Sequence, residues 1–226
     1  MFSEQLKRDA APILTDIENH PFVEGIRDGA VSRDALMVYV EQDTRFLEAF
    51  VKVYAGALEK SKTKKQMQFF DEQIRYTLND EAGAHKILCG IADEALEEHQ
   101  NAEIRPATYL YNEHLFNALR TGQLIDIAAA MLPCPWTYNE ISKKIISDSD
   151  PTNPFLPWIE FYQPEEGKVD DSMVNTLFSM IDELAEEVSA AHLKRVEERF
   201  LRSCEFEYDF WDQAYYQQDW KYHLQA

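Results

Sequence analysis

The sequence predicts an all-α fold, and three observations carry that prediction. Seven glycines in 226 residues are too few to punctuate a sheet protein. No Asn-Gly or Asp-Gly turn sits between alternating apolar runs, and Asp28-Gly29 instead closes a helical stretch. Apolar residues recur at three- and four-residue spacing, as in Leu36, Val40, Leu47, Phe50, Val51 and Tyr54, which is the repeat of an amphipathic helix.

The elements follow in order. A first helix spans about Ser3 to Asn19, a second Pro21 to Asp28, and a third runs from the cap Ser32 to about Lys60. A long one covers Thr63 to Asp93, with a short piece near Glu94 to Gln100. Pro106 suits a first helical turn, because its missing N–H has no partner there, and that helix ends near Gly122. Leu124 to Ser147 follows, interrupted by Pro133 and Pro135, and Asp150 to Pro154 is a loop. A short amphipathic piece, Phe155 to Tyr162, precedes a linker from Gln163 to Lys168. Two last helices cover about Asp171 to Val188 and Ser189 to Tyr216. Residues 1–226 show no repeat and no low-complexity segment, so one helical domain is expected, a bundle whose facing helices can hold a ligand.

Composition narrows the function. A net charge of −19 repels phosphate backbones and anionic lipid surfaces, so neither nucleic acid nor membrane is an expected partner. Three cysteines without C-x-x-C spacing argue against a disulfide framework and a structural zinc site. The chain begins with an amphipathic pattern rather than a signal peptide, and no apolar run reaches the roughly 20 residues of a membrane helix. A cytoplasmic protein is the expectation.

Ionisable residues inside apolar stripes are the informative exceptions. Asp43 falls in the inward stripe of Leu36, Val40, Leu47, Phe50 and Tyr54, where a carboxylate needs a partner: either a structural hydrogen bond or a ligand. Glu207 lies between Cys204 and Trp211 on an aromatic face. It is either a buried structural carboxyl or one raised by desolvation toward general acid–base work. The third exception is Leu132-Pro133-Cys134-Pro135-Trp136, a thiol between two prolines in an otherwise helical segment. Proline pushes the preceding residue from αR, so Leu132 and Cys134 are expected at a kink or a helix restart. A cysteine near a helix N-terminus gains thiolate character and nucleophilicity. If the helix restarts at Pro135, Tyr138 lies one turn from Cys134. Cys89 and Cys204, in uninterrupted helix, read as core residues.

Weaker signals are Glu81 and His85, at i and i+4 on one helix face, a possible start of a metal site. The fuller pattern of Glu-x-x-His on two helices is missing, so no metal is expected. His20 and His114 read as packed or capping histidines. Phe46, Tyr109, Tyr111, Tyr138, Phe161 and Tyr162 are core residues by default. Several lie near the polar exceptions, and an aromatic-walled pocket with carboxylates suits a planar heterocycle.

Five segments in this order resemble the TenA family of thiaminase II-like aminopyrimidine aminohydrolases along nearly the whole chain. They are His20-Pro21-Phe22-Val23 with Gly25 to Gly29; Tyr39-Val40-Glu41-Gln42-Asp43; Leu132 to Trp136 with Tyr138 and Glu140; Trp158-Ile159 with Tyr162; and Glu207-Tyr208-Asp209-Phe210-Trp211. The resemblance implies a haem-oxygenase-like helical bundle without haem, a homotetramer, and no metal or organic cofactor. It implies hydrolysis of 4-amino-5-aminomethyl-2-methylpyrimidine to the hydroxymethyl pyrimidine and ammonia, with cleavage of thiamin in many members. By matching position, it makes Cys134 the nucleophile, Glu207 the proton donor and Asp43 the carboxylate for the ring nitrogen and amino group. Tyr138 and Tyr162 would line the site, and Tyr111 would offer an aromatic face. Where many relatives carry a tyrosine one turn after the aspartate, this chain has Phe46, which removes a hydroxyl beside the thiol but retains a ring; Arg45 next to it is expected to face solvent. Two other classes stay open: a regulatory or pyrimidine-binding protein without catalysis, and a metal or redox enzyme on the same scaffold with Glu81 and His85 as ligands.

Overall fold

The structure, a computed structural model, describes residues 1–79, 82–163 and 169–223. Among them lie twelve helices and no strand: α1 (Phe2–Glu18), α2 (Pro21–Asp28), α3 (Arg33–Lys60), α4 (Lys64–Asn79), α5 (Ala82–Ala92), α6 (Leu96–His99), α7 (Pro106–Thr121), α8 (Leu124–Met131), α9 (Pro133–Ile146), α10 (Leu156–Phe161), α11 (Val169–Ala185) and α12 (Ala190–Tyr215). The two longest helices organise the others. α3 packs against α4, α5, α7 and α12, and α12 packs against α1, α2, α7, α8 and α9.

Local chemistry sets the helix ends. The Ser32 hydroxyl accepts from the Ala35 N–H at 3.2 Å, and Ser189 accepts from His192 at 3.3 Å, satisfying donors that a helix start leaves open. His20 caps α2 through Nδ1, which accepts from the Phe22 N–H at 3.1 Å. Gly29 stops α2 at φ 71°, the left-handed region a side chain disfavours, while the Ala30 N–H bonds back to Gly25 O at 2.7 Å.

Aromatic burial then fixes how the long helices cross. The Tyr39 ring of α3 lies parallel to Trp211 of α12 with centroids 5.5 Å apart, and Phe22 of α2 packs on the same indole at 5.2 Å. Each such fully buried side chain contributes on the order of 1.5–3 kcal/mol. A polar latch ties α8 to α12. Buried Asp126 accepts from the Gln123 N–H at 2.8 Å, meets His192 Nε2 at 2.7 Å and lies 3.3 Å from Arg199 Nε.

Several expected boundaries change. The stretch expected as one helix from Thr63 to Asp93 comprises α4 and α5, on either side of residues 80 and 81, which lie outside the described residues. The restart after α8 comes at Pro133, not Pro135. Leu132 stays in αR at φ −59°, ψ −34°, so the prolines do not expel their predecessor from helical geometry. Both instead occupy the first turn of α9, where a missing N–H leaves no acceptor unsatisfied. Arg45 does not face solvent: it is half-buried, and its Nε donates to Ala102 O at 2.7 Å. Tyr109 is not core; it is 44 % exposed and packs edge-on against Trp220. Glu81 lies outside the described residues.

The Asp126 latch yields a test. Asp126→Ala leaves a buried imidazole and a guanidinium without their carboxylate, and is expected to lower unfolding free energy by about 3–5 kcal/mol in urea titration. A loss under about 1 kcal/mol would show that the latch contributes little.

Candidate active site

Four helices bring the exceptional residues of the sequence to one place. α3 contributes Asp43 and Phe46, α7 Tyr111, α9 Cys134 and Tyr138, and α12 Glu207; with Phe210 they line one inner pocket of about 180 Å3. An outer chamber of about 710 Å3, measured to its open mouth, shares Asp43, Cys134 and Tyr138 with it and adds Tyr162, Asn139 and the α4 residues Gln73, Tyr76 and Thr77. No Lys or Arg lines either space among the described residues.

Cys134 is half-buried in the first turn of α9, between two prolines that have no N–H. Neither it nor the buried Cys89 and Cys204 is in a disulfide, and burial raises both of those two thiols. The core reading of that pair agrees with the structure.

Glu207 is 3 % exposed. The Tyr111 hydroxyl donates to its Oε1 at 2.7 Å and the Thr137 hydroxyl approaches Oε2 at 3.3 Å. Burial pushes its carboxyl up from 4.5 to about 7, with the two hydroxyls lowering it and the charge of Asp43 adding a smaller upward push. A carboxyl poised near neutrality both gives and takes a proton. Tyr111 and Tyr138 are themselves raised well above the ordinary phenol value, first by burial, and so stay neutral donors.

Asp43 is nearly as buried, and its Oδ2 meets His85 Nε2 at 2.6 Å. His85 comes from α5, which approaches α10 closely at Gly83: a Cβ there would stand 3.0 Å from the Phe161 ring. The imidazole's Nε2 is therefore committed to a carboxylate, and no group of three or more His, Cys, Asp or Glu fit for a metal occurs among the described residues. Phe46 packs on Tyr111 at 4.8 Å and Phe50 at 5.1 Å, an apolar wall beside the thiol. Tyr138 shares a 2.9 Å hydrogen bond with Tyr39 and rests on Tyr162, ring to ring at 4.9 Å.

All seven residues singled out as catalytic or ligand-binding thus line one of two adjoining spaces. Thr137, Tyr39 and the pairing of His85 with Asp43 escaped sequence reasoning. Thr137 had a signal, one turn from Cys134 and at helical spacing to face the same way; the other two bonds join residues 99 and 42 positions apart.

The chain resembles known proteins over nearly its full length. The pattern of the TENA/THI-4/PQQC family matches residues 7–218. An aminopyrimidine aminohydrolase of Halalkalibacterium halodurans is 32 % identical over 225 residues, covering 98 % of both chains. One of Staphylococcus aureus (strain bovine RF122 / ET3-1) is also 32 % identical, over 98 % of this chain and 96 % of its own. Among solved structures, a TenA homologue from P. horikoshii OT3 superposes with a TM-score of 0.82 at 24 % identity, covering 96 % of this chain and 99 % of that one. A protein from Shewanella denitrificans with a heme oxygenase-like fold superposes at 0.70 and 15 % identity over 95 % and 92 %. A TenA family transcription regulator from Silicibacter reaches 0.83 at 24 % identity over 95 % and 96 %. The fold is haem-oxygenase-like and all-helical, and the chain belongs to the TENA/THI-4/PQQC family.

Proposed function

We propose that this protein is an aminopyrimidine aminohydrolase with thiaminase II activity, acting in thiamin salvage. The observation that carries the reading is the inner pocket shared by Cys134, Glu207 and Asp43, in a chain whose relatives are named for that reaction. In this reading Asp43 accepts from the amino group and protonated nitrogen of the pyrimidine, stabilising the protonated ring, which is electron-poor and open to a nucleophile. The Cys134 thiolate adds to the ring, and the returning electrons expel the amine from the exocyclic carbon while Glu207 gives it a proton. Water then bonds to that carbon, Glu207 takes a proton back, and the sulfur leaves. The sum is aminomethyl pyrimidine plus water giving hydroxymethyl pyrimidine plus ammonia.

Tyr111 and Phe46 supply ring faces, and Tyr138 and Tyr162 line the substrate site. The outer chamber has room for a leaving group larger than ammonia, and its lack of Lys and Arg among the described residues suits one without phosphate. Thiamin fits that description. No metal or organic cofactor enters the proposed reaction. A homotetramer in the cytoplasm completes the proposal; no helix among the described residues is long and apolar enough to cross a membrane. A regulatory reading through nucleic acid is opposed by the charge of −19.

Cys134→Ser is expected to lower kcat by about 10³-fold or more, and Glu207→Gln by about 10²- to 10⁴-fold. Steady-state release of ammonia from the aminomethyl pyrimidine measures both, and full activity in either variant would sink the proposal. A parallel turnover comparison of that substrate, its formylated relative and thiamin tests the leaving-group room. Inactivity on all three refutes the reading.

The pH dependence has a definite sign. Glu207 is protonated below about 7, so its role as acid fades as pH rises through that value, in the kcat profile. Stability follows the same group. With a folded value of about 7 above the ordinary 4.5, its contribution is full below 4.5 and is lost as pH climbs to 7. The stability of Glu207→Gln relative to wild type should therefore rise across that window.

Phe46→Tyr would set a hydroxyl in the apolar wall beside the thiol. Alkylation of Cys134 by iodoacetamide at neutral pH should then quicken severalfold. An unchanged rate would mean that the missing hydroxyl has no bearing on thiol activation.

A further inference from the structure

The pair formed by His85 and Asp43 is more than a buried carboxylate finding a donor, because a third residue, Thr44, lies against the other nitrogen of the imidazole. His85 is 4 % exposed, with Nε2 at 2.6 Å from Asp43 Oδ2 and Nδ1 at 3.5 Å from Thr44 Oγ1. Thr44 sends its one hydroxyl proton to Val40 O at 2.8 Å, one helical turn back. Toward His85 it therefore offers only a lone pair. The ring donates from Nε2 to Asp43, and Thr44 bounds its other nitrogen. On the side of His85 away from the inner pocket lies a separate cavity, bordered by Thr44, Glu48, Thr77 and Gln100.

We propose that His85, set by Thr44, is a positioning residue that holds Asp43 as an acceptor-only carboxylate and thereby makes the site select an amine over a carbonyl on the pyrimidine edge. Oδ2 is occupied by the imidazole, which leaves Oδ1 to face a ligand. A ring edge with an exocyclic amine and a protonated nitrogen presents N–H donors to such an oxygen. A 4-oxo ring keeps a ring N–H but puts a carbonyl where the amine stood, so one donor is lost and the carbonyl's lone pairs face the carboxylate. A buried polar group left unpaired in this way is a strong basis for discrimination between ligands of the same size.

The inference rests on the reading that Asp43 binds the aminopyrimidine edge, and the test separates the two. Calorimetry on the full chain compares 4-amino-5-hydroxymethyl-2-methylpyrimidine with its 4-oxo counterpart, and the quantity read is the ratio of their affinities. Wild type is expected to prefer the amine by about 10²-fold. His85→Leu should cut that preference about tenfold or more, Thr44→Val about two- to threefold, and His85→Gln, which keeps one neutral donor, should fall between wild type and His85→Leu. Circular dichroism establishes which variants fold. The ratio is insensitive to a general loss of packing, since both ligands have the same shape. If His85→Leu does not fold, His85→Gln and Thr44→Val carry the test. A wild-type ratio in every folded variant overturns the proposal and leaves His85 a packing residue. Asp43→Asn that keeps the amine preference overturns instead the placement of Asp43 against the ring.

Discussion

Two carboxyl groups buried in one apolar chamber are the constraint on which the rest of this structure depends. Asp43 and Glu207 sit on the two longest helices, which cross at the centre of the bundle, and both face a pocket walled by aromatic rings. Water cannot solvate them there, so each needs partners supplied by the fold. Those partners differ in kind. Asp43 meets an imidazole from α5, whereas Glu207 meets only hydroxyls, from Tyr111 and Thr137. A hydroxyl satisfies a carboxyl in either protonation state and leaves desolvation to dominate, which is why Glu207 rises to about 7. Two residues of the same chemical class thereby acquire separate behaviours from their surroundings.

The helices that carry them are long because they must bridge distant partners. α3 presents Asp43 and Phe46 to the pocket and also Tyr39, whose ring lies on Trp211 and whose hydroxyl bonds Tyr138. α12 presents Glu207 to the pocket and anchors its far end through the latch of Asp126, His192 and Arg199. The same latch holds α8, the helix that runs directly into the thiol segment. Prolines on either side of Cys134 end one helix and begin another without bending the chain out of αR. The result is a cysteine in a helix's first turn, in the bundle interior rather than at its surface, beside two carboxyls. Helix starts are usually solvent-facing; here the interior position comes from α9 packing under α12 and α10.

The apolar wall has its own logic. Phe46, Phe50, Tyr111 and Phe210 interlock by tilted ring contacts, so the inner pocket is small and largely aromatic-walled. A pocket so walled strengthens every electrostatic contact within it. The outer chamber, by contrast, mixes Gln73, Thr77 and Asn139 with Leu47 and Met173 and opens outward. The two spaces meet at Asp43, Cys134 and Tyr138.

Much of this was legible in the order of residues. Helical repeat and turn chemistry need only neighbours along the chain, so the all-α class and most helix ends could be read directly. The three exceptions, Asp43, Cys134 and Glu207, were visible because each breaks a local rule: a charge in an apolar stripe, or a thiol between prolines. Where two local signals conflicted, reading by pattern erred. Pro133 and Pro135 by themselves predict predecessors outside αR, yet both fit a helix's first turn. A charged Arg45 beside Phe46 reads as facing solvent, but nothing local reveals that Ala102 O lies within reach. What only the tertiary structure decided is pairing: that His85 serves Asp43, that Tyr111 and Thr137 serve Glu207, and that Tyr39 reaches Tyr138. Sequence determines which faces of each helix seek burial; which faces meet is settled by packing the whole bundle at once, and that is where a buried charge finds its partner.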